Sequence, residues 1–331
     1  MRKLIVLGLL AAFALAALFA LPAGARAPGV NGQIAFARLI PTGGANVFTA
    51  NPDGTNAQQV PLVYTAEDFG VPVWSPDGSE LLISQVFHLD SGGECCLPFR
   101  PAIVNPDGSD FTLLTIPNGL FDMGCNTWNR DGTRLLCNVD FENFGGDPPG
   151  SFSVRASDGG DLVRLSTNPY GAEDRPTDIS PDGTRFVFLR YRPEGAPEPR
   201  HDQVALFVEN IDGTGLRQIV PYGLAHAEEI ASAQWSPDGK EIISETTQGR
   251  LFVVHPDGTG LAPIALQTGT GRYFAFEPDW SPDGTQIVFC MGIKGQEDIY
   301  TANADGSNVK QVTDTPDFEN GPDWGTHPLV P

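Results

Sequence analysis

The sequence predicts an all-β fold: a six-bladed β-propeller with four-stranded blades, its ring closed by pairing of the N- and C-terminal segments. Three observations predict this. One turn motif recurs six times, a second Asp-Gly motif alternates with it at a near-constant step, and the two chain ends carry complementary parts of one repeat. The composition agrees: 38 Gly and 29 Pro punctuate short clusters of Val, Ile and Phe, and no long segment shows a helical apolar period.

The first motif reads V-P-V-W-S-P-D-G ending at Gly78, C-N-T-W-N-R-D-G at Gly132 and P-T-D-I-S-P-D-G at Gly183. It returns as S-A-Q-W-S-P-D-G at Gly239, E-P-D-W-S-P-D-G at Gly284 and a truncated G-P-D-W-G at Gly325. All 5 tryptophans, Trp74, Trp128, Trp235, Trp280 and Trp324, hold one place in it, and Ile179 holds the sixth. In Ser75-Pro76-Asp77-Gly78 the proline presets φ at the second turn position and glycine supplies a positive φ at the fourth. That suits a type I turn closing a bulged hairpin. Trp74 ends the strand before the turn, and Leu81-Leu82-Ile83 form the strand after it. The tryptophans are expected between adjacent blades as core, not as a ligand cage.

The second motif reads N-P-D-G-T at Asn51, N-P-D-G-S at Asn105, S-D-G-G at Ser157, I-D-G-T at Ile211, H-P-D-G-T at His255 and A-D-G-S at Ala304. Its aspartates, at 53, 107, 158, 212, 257 and 305, step by 54, 51, 54, 45 and 48. Units of about fifty residues hold four short strands each. Leu251-Phe252-Val253-Val254 illustrates the strand entering this turn, and Val309-Lys310-Gln311-Val312 the strand leaving it. The last copy has a first strand, Pro322-Asp323-Trp324, without partners after it. Near the N-terminus, Gly32-Gln33-Ile34-Ala35-Phe36 lacks a first strand before it. Joining the two completes the sixth blade and leaves no open sheet edge.

A W-S-P-D-G turn, an apolar strand and an N-x-D-G-[ST] turn together resemble the repeat of TolB-type propellers. The resemblance covers nearly all of residues 28–331. Two units depart from it: one has Ile179 for the tryptophan, and the Trp128 unit has Asn129-Arg130 for Ser-Pro. The repeats start almost directly after residue 27, with no sign of the separate N-terminal α/β domain of TolB. The resemblance implies a fold and not TolB's role in the cell envelope.

Residues 1–27 read as a secretory signal peptide: Arg2 and Lys3, an apolar run from Leu4 to Leu21, then small residues through Ala23-Gly24-Ala25-Arg26-Ala27. The expected compartment is extracytoplasmic: periplasm, cell envelope or medium. A formal net charge of −21 repels phosphate backbones and excludes nucleic acid as a partner. A basic protein or peptide, a cation or a neutral glycan fits that charge, and the chain is expected to be monomeric.

With both Asp-Gly turns of each blade on one face, the bottom, the long insertions fall on the other face, the top. These run over 86–101, 139–150 and 191–203, between second and third strands. Acids recur near the start of each first strand. Asp68, Asp122, Glu173 and Glu229 stand six residues before the Trp position and Glu319 five before, while the fifth unit has Phe274 with Glu277 nearer the motif. Carboxylates converging on a channel mouth attract Ca²⁺ or a basic peptide; alternatively they cap strand starts and accept backbone or arginine hydrogen bonds.

Among the cysteines, Cys95, Cys96, Cys125 and Cys137 are disulfide candidates in an exported chain. Three connectivities are open, one of them Cys125 with Cys137 across a hairpin. Cys290, in an apolar strand, reads as a buried thiol. No G-x-S-x-G, H-E-x-x-H or C-x-x-C occurs, so no catalytic residue is assigned and a binding role is expected. The competing reading is a metal-dependent lyase or hydrolase acting on an extracellular glycan. Its metal would sit on the top-face histidines His88, His201 and His226, with Glu228 or Glu229.

Overall fold

The computed structural model describes residues 29–39, 45–62, 70–86, 100–115, 123–139, 150–171, 173–192, 203–223, 230–268, 273–293 and 296–330. Its elements are strands. The first sheet takes β1 (Ile34–Leu39), β2 (Ala45–Ala50) and β3 (Gln58–Gln59). The second holds β4 (Pro72–Trp74), β5 (Leu81–Val86), β6 (Arg100–Val104) and β7 (Thr112–Leu113). The third holds β8 (Met123–Trp128), β9 (Arg134–Val139), β10 (Ser151–Arg155) and β11 (Val163–Arg164). The fourth holds β12 (Asp174–Ile179), β13 (Arg185–Arg192), β14 (Gln203–Asn210) and β15 (Arg217–Val220). The fifth holds β16 (Ile230–Trp235), β17 (Ile242–Thr246), β18 (Leu251–Val254) and β19 (Ala262–Pro263). The sixth holds β20 (Phe274–Trp280), β21 (Gln286–Ile293), β22 (Gln296–Asn303) and β23 (Lys310–Gln311).

The last strand, β24 (Glu319–Trp324), joins the first sheet, in the order β24-β1-β2-β3. The expected six four-stranded antiparallel blades are therefore present, closed by the two ends of the chain. Ile34 pairs with Trp324, Ala35 with Asp323 and Arg38 with Glu319. Residues after β24 strap the joint: Gly325 N donates to Gln33 O, and Gln33 N to His327 O. His327 stacks on Trp74 of the second blade at 4.9 Å and pairs through Nδ1 with Gly78 O at 2.7 Å. Val330 N donates to Asn51 Oδ1 at 3.1 Å.

Both turns form as the residues dictate. In Ser75–Glu80 the Asp77 carboxylate accepts from Ser75 Oγ, Ser79 N and Ser79 Oγ, and Ser75 Oγ accepts from Glu80 N. Gly54 sits at φ 82°, and a Cβ there would lie 2.3 Å from Val312 O, so no side chain fits that turn. The Thr55 hydroxyl and amide bonds hold the Asp53 carboxyl below its ordinary range, and Asp107, Asp212, Asp257 and Asp305 behave alike with their own Ser or Thr.

The core is a ring of six clusters, one per seam between neighbouring blades. Five contain the tryptophan of the repeat, Trp74, Trp128, Trp235, Trp280 or Trp324, and the partly buried Ile179 packs against the sixth. The tryptophans are nearly fully buried, as the repeat predicts. Where Ile179 replaces tryptophan, Phe186, Phe188 and Phe207 fill the seam. The buried Arg190 guanidinium lies 5.2 Å from the Phe188 ring centre and 4.9 Å from that of Phe207, and forms a two-pronged ion pair with Asp174 at 2.8 and 2.7 Å. The other irregular unit is repaired as well. Asn129 Oδ1 takes the serine's role by accepting from Arg134 N, and Arg130 donates to Pro181 O of the next blade.

Ring closure by Trp324 yields a direct expectation. Trp324→Ala removes a buried side chain from the seam that joins the chain ends, and should cost about 3–5 kcal/mol of stability. Urea unfolding followed by circular dichroism measures it; a loss under about 1 kcal/mol would mean that the closure carries little of the stability.

Candidate functional site

The channel is lined by the first strand of each blade. A β-bulge or register shift interrupts most of these strands two to four residues before the Trp position, for example between Phe276 and Asp279 and between Cys125 and Thr127. The bulge turns the next residues toward the axis, so the residue just before the Trp position lines the channel at its turn end. Those residues are Val73, Thr127, Asp178, Gln234, Asp279 and Asp323. Together with the Trp positions and Pro76, Arg130, Pro181 and Pro237 of the turns, they enclose a cavity of about 170 Å³ to which all six blades contribute.

Its three aspartates tie neighbouring blades together. Asp178 Oδ2 accepts from Trp235 N at 2.7 Å, Asp279 Oδ2 from Trp324 N at 2.9 Å, and Asp323 Oδ2 from Trp74 N at 2.8 Å. Each carboxylate is thus held in one orientation by the backbone of the next blade. Sequence reasoning looked to the top face and passed over these residues. The signal was available, since Asp precedes the Trp position in three of the six motif copies quoted above.

Three of the predicted mouth acids fall within the described residues, and each is engaged by the protein. Glu173 accepts from Asn138 Nδ2 at 3.0 Å and forms an ion pair with Arg175 at 3.0 Å. The fully buried Glu319 pairs with Arg38 at 2.7 Å and accepts from Thr313 Oγ1. Glu277 occupies a left-handed backbone position at φ 51°, where the next blade has Gly321, and its Oε2 accepts from Gly321 N at 2.6 Å. Asp68, Asp122, Glu229, Glu228, His88, His201, His226, Cys95 and Cys96 lie outside the described residues.

Cys125 and Cys137 face each other across β8 and β9 and form a disulfide, one of the three pairings the sequence left open. Cys290 is a buried free thiol, pushed well above its ordinary range by burial and by the nearby Glu277. Among the described residues no group of three or more His, Cys, Asp or Glu is placed to hold a metal ion. No helix among them is long and apolar enough to cross a membrane.

Structural comparison bears on this architecture. No protein-family model matches the sequence, and no curated relative is detected. Among solved structures the chain is similar to TolB from Acinetobacter baumannii, with TM-score 0.65 and 15% identity over 89% of this chain and 66% of that one. A putative TolB from Agrobacterium tumefaciens matches with TM-score 0.60 and 17% identity over 91% of this chain and 94% of that one. The fold is that of a TolB-like six-bladed propeller. The chain therefore spans just under two thirds of the Acinetobacter protein and nearly all of the Agrobacterium one. An oligogalacturonate lyase in complex with manganese also matches, with TM-score 0.50 and 16% identity over 86% of this chain and 74% of that one.

Two acids lie close together where the fifth and sixth blades of this TolB-like ring meet, Glu245 and the half-buried Glu277. Glu245 is buried and accepts from Ser232 Oγ at 2.5 Å. Burial pushes its carboxyl up to about 7; the Ser232 bond opposes the shift and the Glu277 charge adds to it. Burial likewise raises Glu277 above the ordinary value. Between the ordinary 4.5 and about 7, folded Glu245 keeps a proton that the unfolded chain has released. Its contribution to stability is whole below that window and is lost as pH rises through it. Glu245→Gln should therefore reduce the loss of urea midpoint between about pH 5 and about pH 8. Parallel midpoint curves for the two proteins would refute the buried-proton assignment.

Proposed function

We propose that this chain acts as an exported, non-catalytic propeller that binds a basic protein or peptide through its top-face loops and acidic channel mouth. The observation that carries the reading is charge placed on a rigid ring. The net charge is −21, and acids stand at or near the start of the first strand in four of the six blades at 68, 122, 173 and 229, whereas Glu319 of the first blade is buried against Arg38 and takes no part. The long insertions that the sequence predicts between second and third strands, at 86–101, 139–150 and 191–203, would add contact surface beside the four acids. Likeness in fold to TolB and the Cys125–Cys137 disulfide support an extracytoplasmic setting.

The test is capture from the extracytoplasmic fraction of the source cells, comparing the mature protein with an Asp68→Asn, Asp122→Asn, Glu173→Gln, Glu229→Gln variant. A basic partner held by the first and released about tenfold more readily by the second is the expected outcome. Equal retention by the variant would remove the acidic mouth from the reading. The second reading, a metal-dependent lyase or hydrolase of an extracellular glycan, draws on the likeness in fold to the manganese-bound lyase. Its candidate ligands are His88, His201 and His226. Stoichiometric Mn²⁺, Zn²⁺ or Ca²⁺ in the purified protein, lost in a triple His→Ala variant, would put it first.

A further inference from the structure

We propose that the second Asp-Gly turn of the sixth blade, through Asn303 and Asn308, binds the backbone of an extended peptide segment from a partner protein. The site lies on the bottom face, opposite the acidic mouth proposed above, and it stands whether or not that reading holds.

The first blade shows what such a turn can hold. Its copy, Asn51 to Asn56, grips the C-terminal segment of the chain itself. Asn51 Oδ1 accepts from Val330 N at 3.1 Å, and Asn51 Nδ2 donates to Val330 O at 2.8 Å. Asn56 Nδ2 adds a second bond to Val330 O at 2.9 Å. One primary amide thus offers an acceptor and a donor to the N–H and C=O of a single residue, as a neighbouring strand does for an extended chain. Side chains of the tail play little part, since Leu329 is 50% exposed.

The sixth blade repeats the clamp. Residues 51–56 read N-P-D-G-T-N and residues 303–308 read N-A-D-G-S-N. Register matches as well: Ala50 pairs with Ile34 in one blade and Ala302 with Ile287 in the other. Gly54 and Gly306 both sit at φ 82°, Asn56 at 54° and Asn308 at 56°. Asn51 Nδ2 donates to Thr55 Oγ1 at 2.9 Å and Asn303 Nδ2 to Ser307 Oγ at 2.8 Å, so the two leading amides are oriented alike. Asn51 is 6% exposed beneath the tail, whereas Asn303 is half-buried and Asn308 exposed.

The other four blades lack the pair. In the second, Asp110 takes the last place and its carboxylate accepts from Asn105 Nδ2 at 2.9 Å. The third has Arg155 and Asp161, the fourth Asn210 and Gly215, the fifth His255 and Gly260. Turn geometry is common to the repeat, but the two-asparagine clamp belongs to the blade that holds the tail and to the sixth.

The tail itself is engaged at home, through His327 on Gly78 O and Val330 on Asn51. Its tether gives it an effective concentration there that works against loan to a second copy. The occupant of the sixth blade is therefore a segment of another protein. It supplies an N–H, so the gripped residue is not proline, and it is neutral or basic to suit a chain of net charge −21.

The test is a nuclear magnetic resonance titration of the isotope-labelled, full mature chain. The probes are acetyl-Gly-Thr-His-Pro-Leu-Val-Pro amide, which copies residues 325–331, and the same peptide with N-methylvaline. The side-chain amide signals of Asn303 and Asn308, assigned with Asn303→Ala and Asn308→Gly, should shift saturably with the first peptide. Binding should be about tenfold weaker for the N-methyl peptide, which cannot donate to Asn303 Oδ1. Asn308→Gly should weaken it about fivefold. Glycine holds that place in the fourth and fifth blades, so this variant keeps the turn even if Asn303→Ala does not fold.

No saturable shift, equal affinity for the N-methyl peptide, unchanged affinity in Asn308→Gly, or shifts confined to Asn51 and Asn56 would overturn the proposal. Concentration-dependent shifts of the Asn303 and Asn308 amides before any peptide is added would assign the clamp to the tail of a second copy and overturn the partner.

Discussion

A propeller blade is a sheet that buries its faces only against its neighbours, so every seam in this ring depends on the two beside it. The residue at the Trp position supplies that burial, one per seam, and its backbone amide anchors the ring at three seams through an aspartate of the preceding blade. The same six positions set the diameter of the channel, because the residue just before each of them faces the axis. Core packing and channel chemistry are therefore written in adjacent positions of one motif, and changing one risks the other.

This coupling explains why the irregular units need repair. Losing an indole at Ile179 removes a large buried surface, and a single substitution cannot refill it. The fourth blade uses three phenylalanines and draws in Arg190, whose charge then requires Asp174. A buried arginine tolerates this place because its two-pronged bond to Asp174 and the two ring faces replace the water it loses. The third blade solves a smaller problem, with Asn129 standing in for serine and Arg130 reaching the next turn.

The channel acids divide by what holds them. Glu319 and Glu173 are paired with arginines, so their charge is partly answered inside the protein. Glu277 and Glu245 sit in a sequence of bonds that fixes the bulges of neighbouring blades, Glu245 through Ser232 and Glu277 through Gly321. Asp178, Asp279 and Asp323 each accept a backbone amide of the next blade, which fixes their direction.

Fold and blade number were legible in the sequence because a propeller repeats one local solution. Proline, glycine and aspartate fix each turn through bonds within six residues, and an indole every blade marks the seams. Closure was legible too, since an incomplete first repeat and an incomplete last one add up to a blade. Tertiary structure alone decided which residues face the axis, because a bulge shifts the alternation of a strand by one residue and leaves no reliable trace in composition. It also chose Cys125–Cys137 among the pairings, through register, and gave Glu277 and Gly321 their left-handed places. These outcomes depend on blades separated by tens of residues in the chain and brought together only when the ring closes.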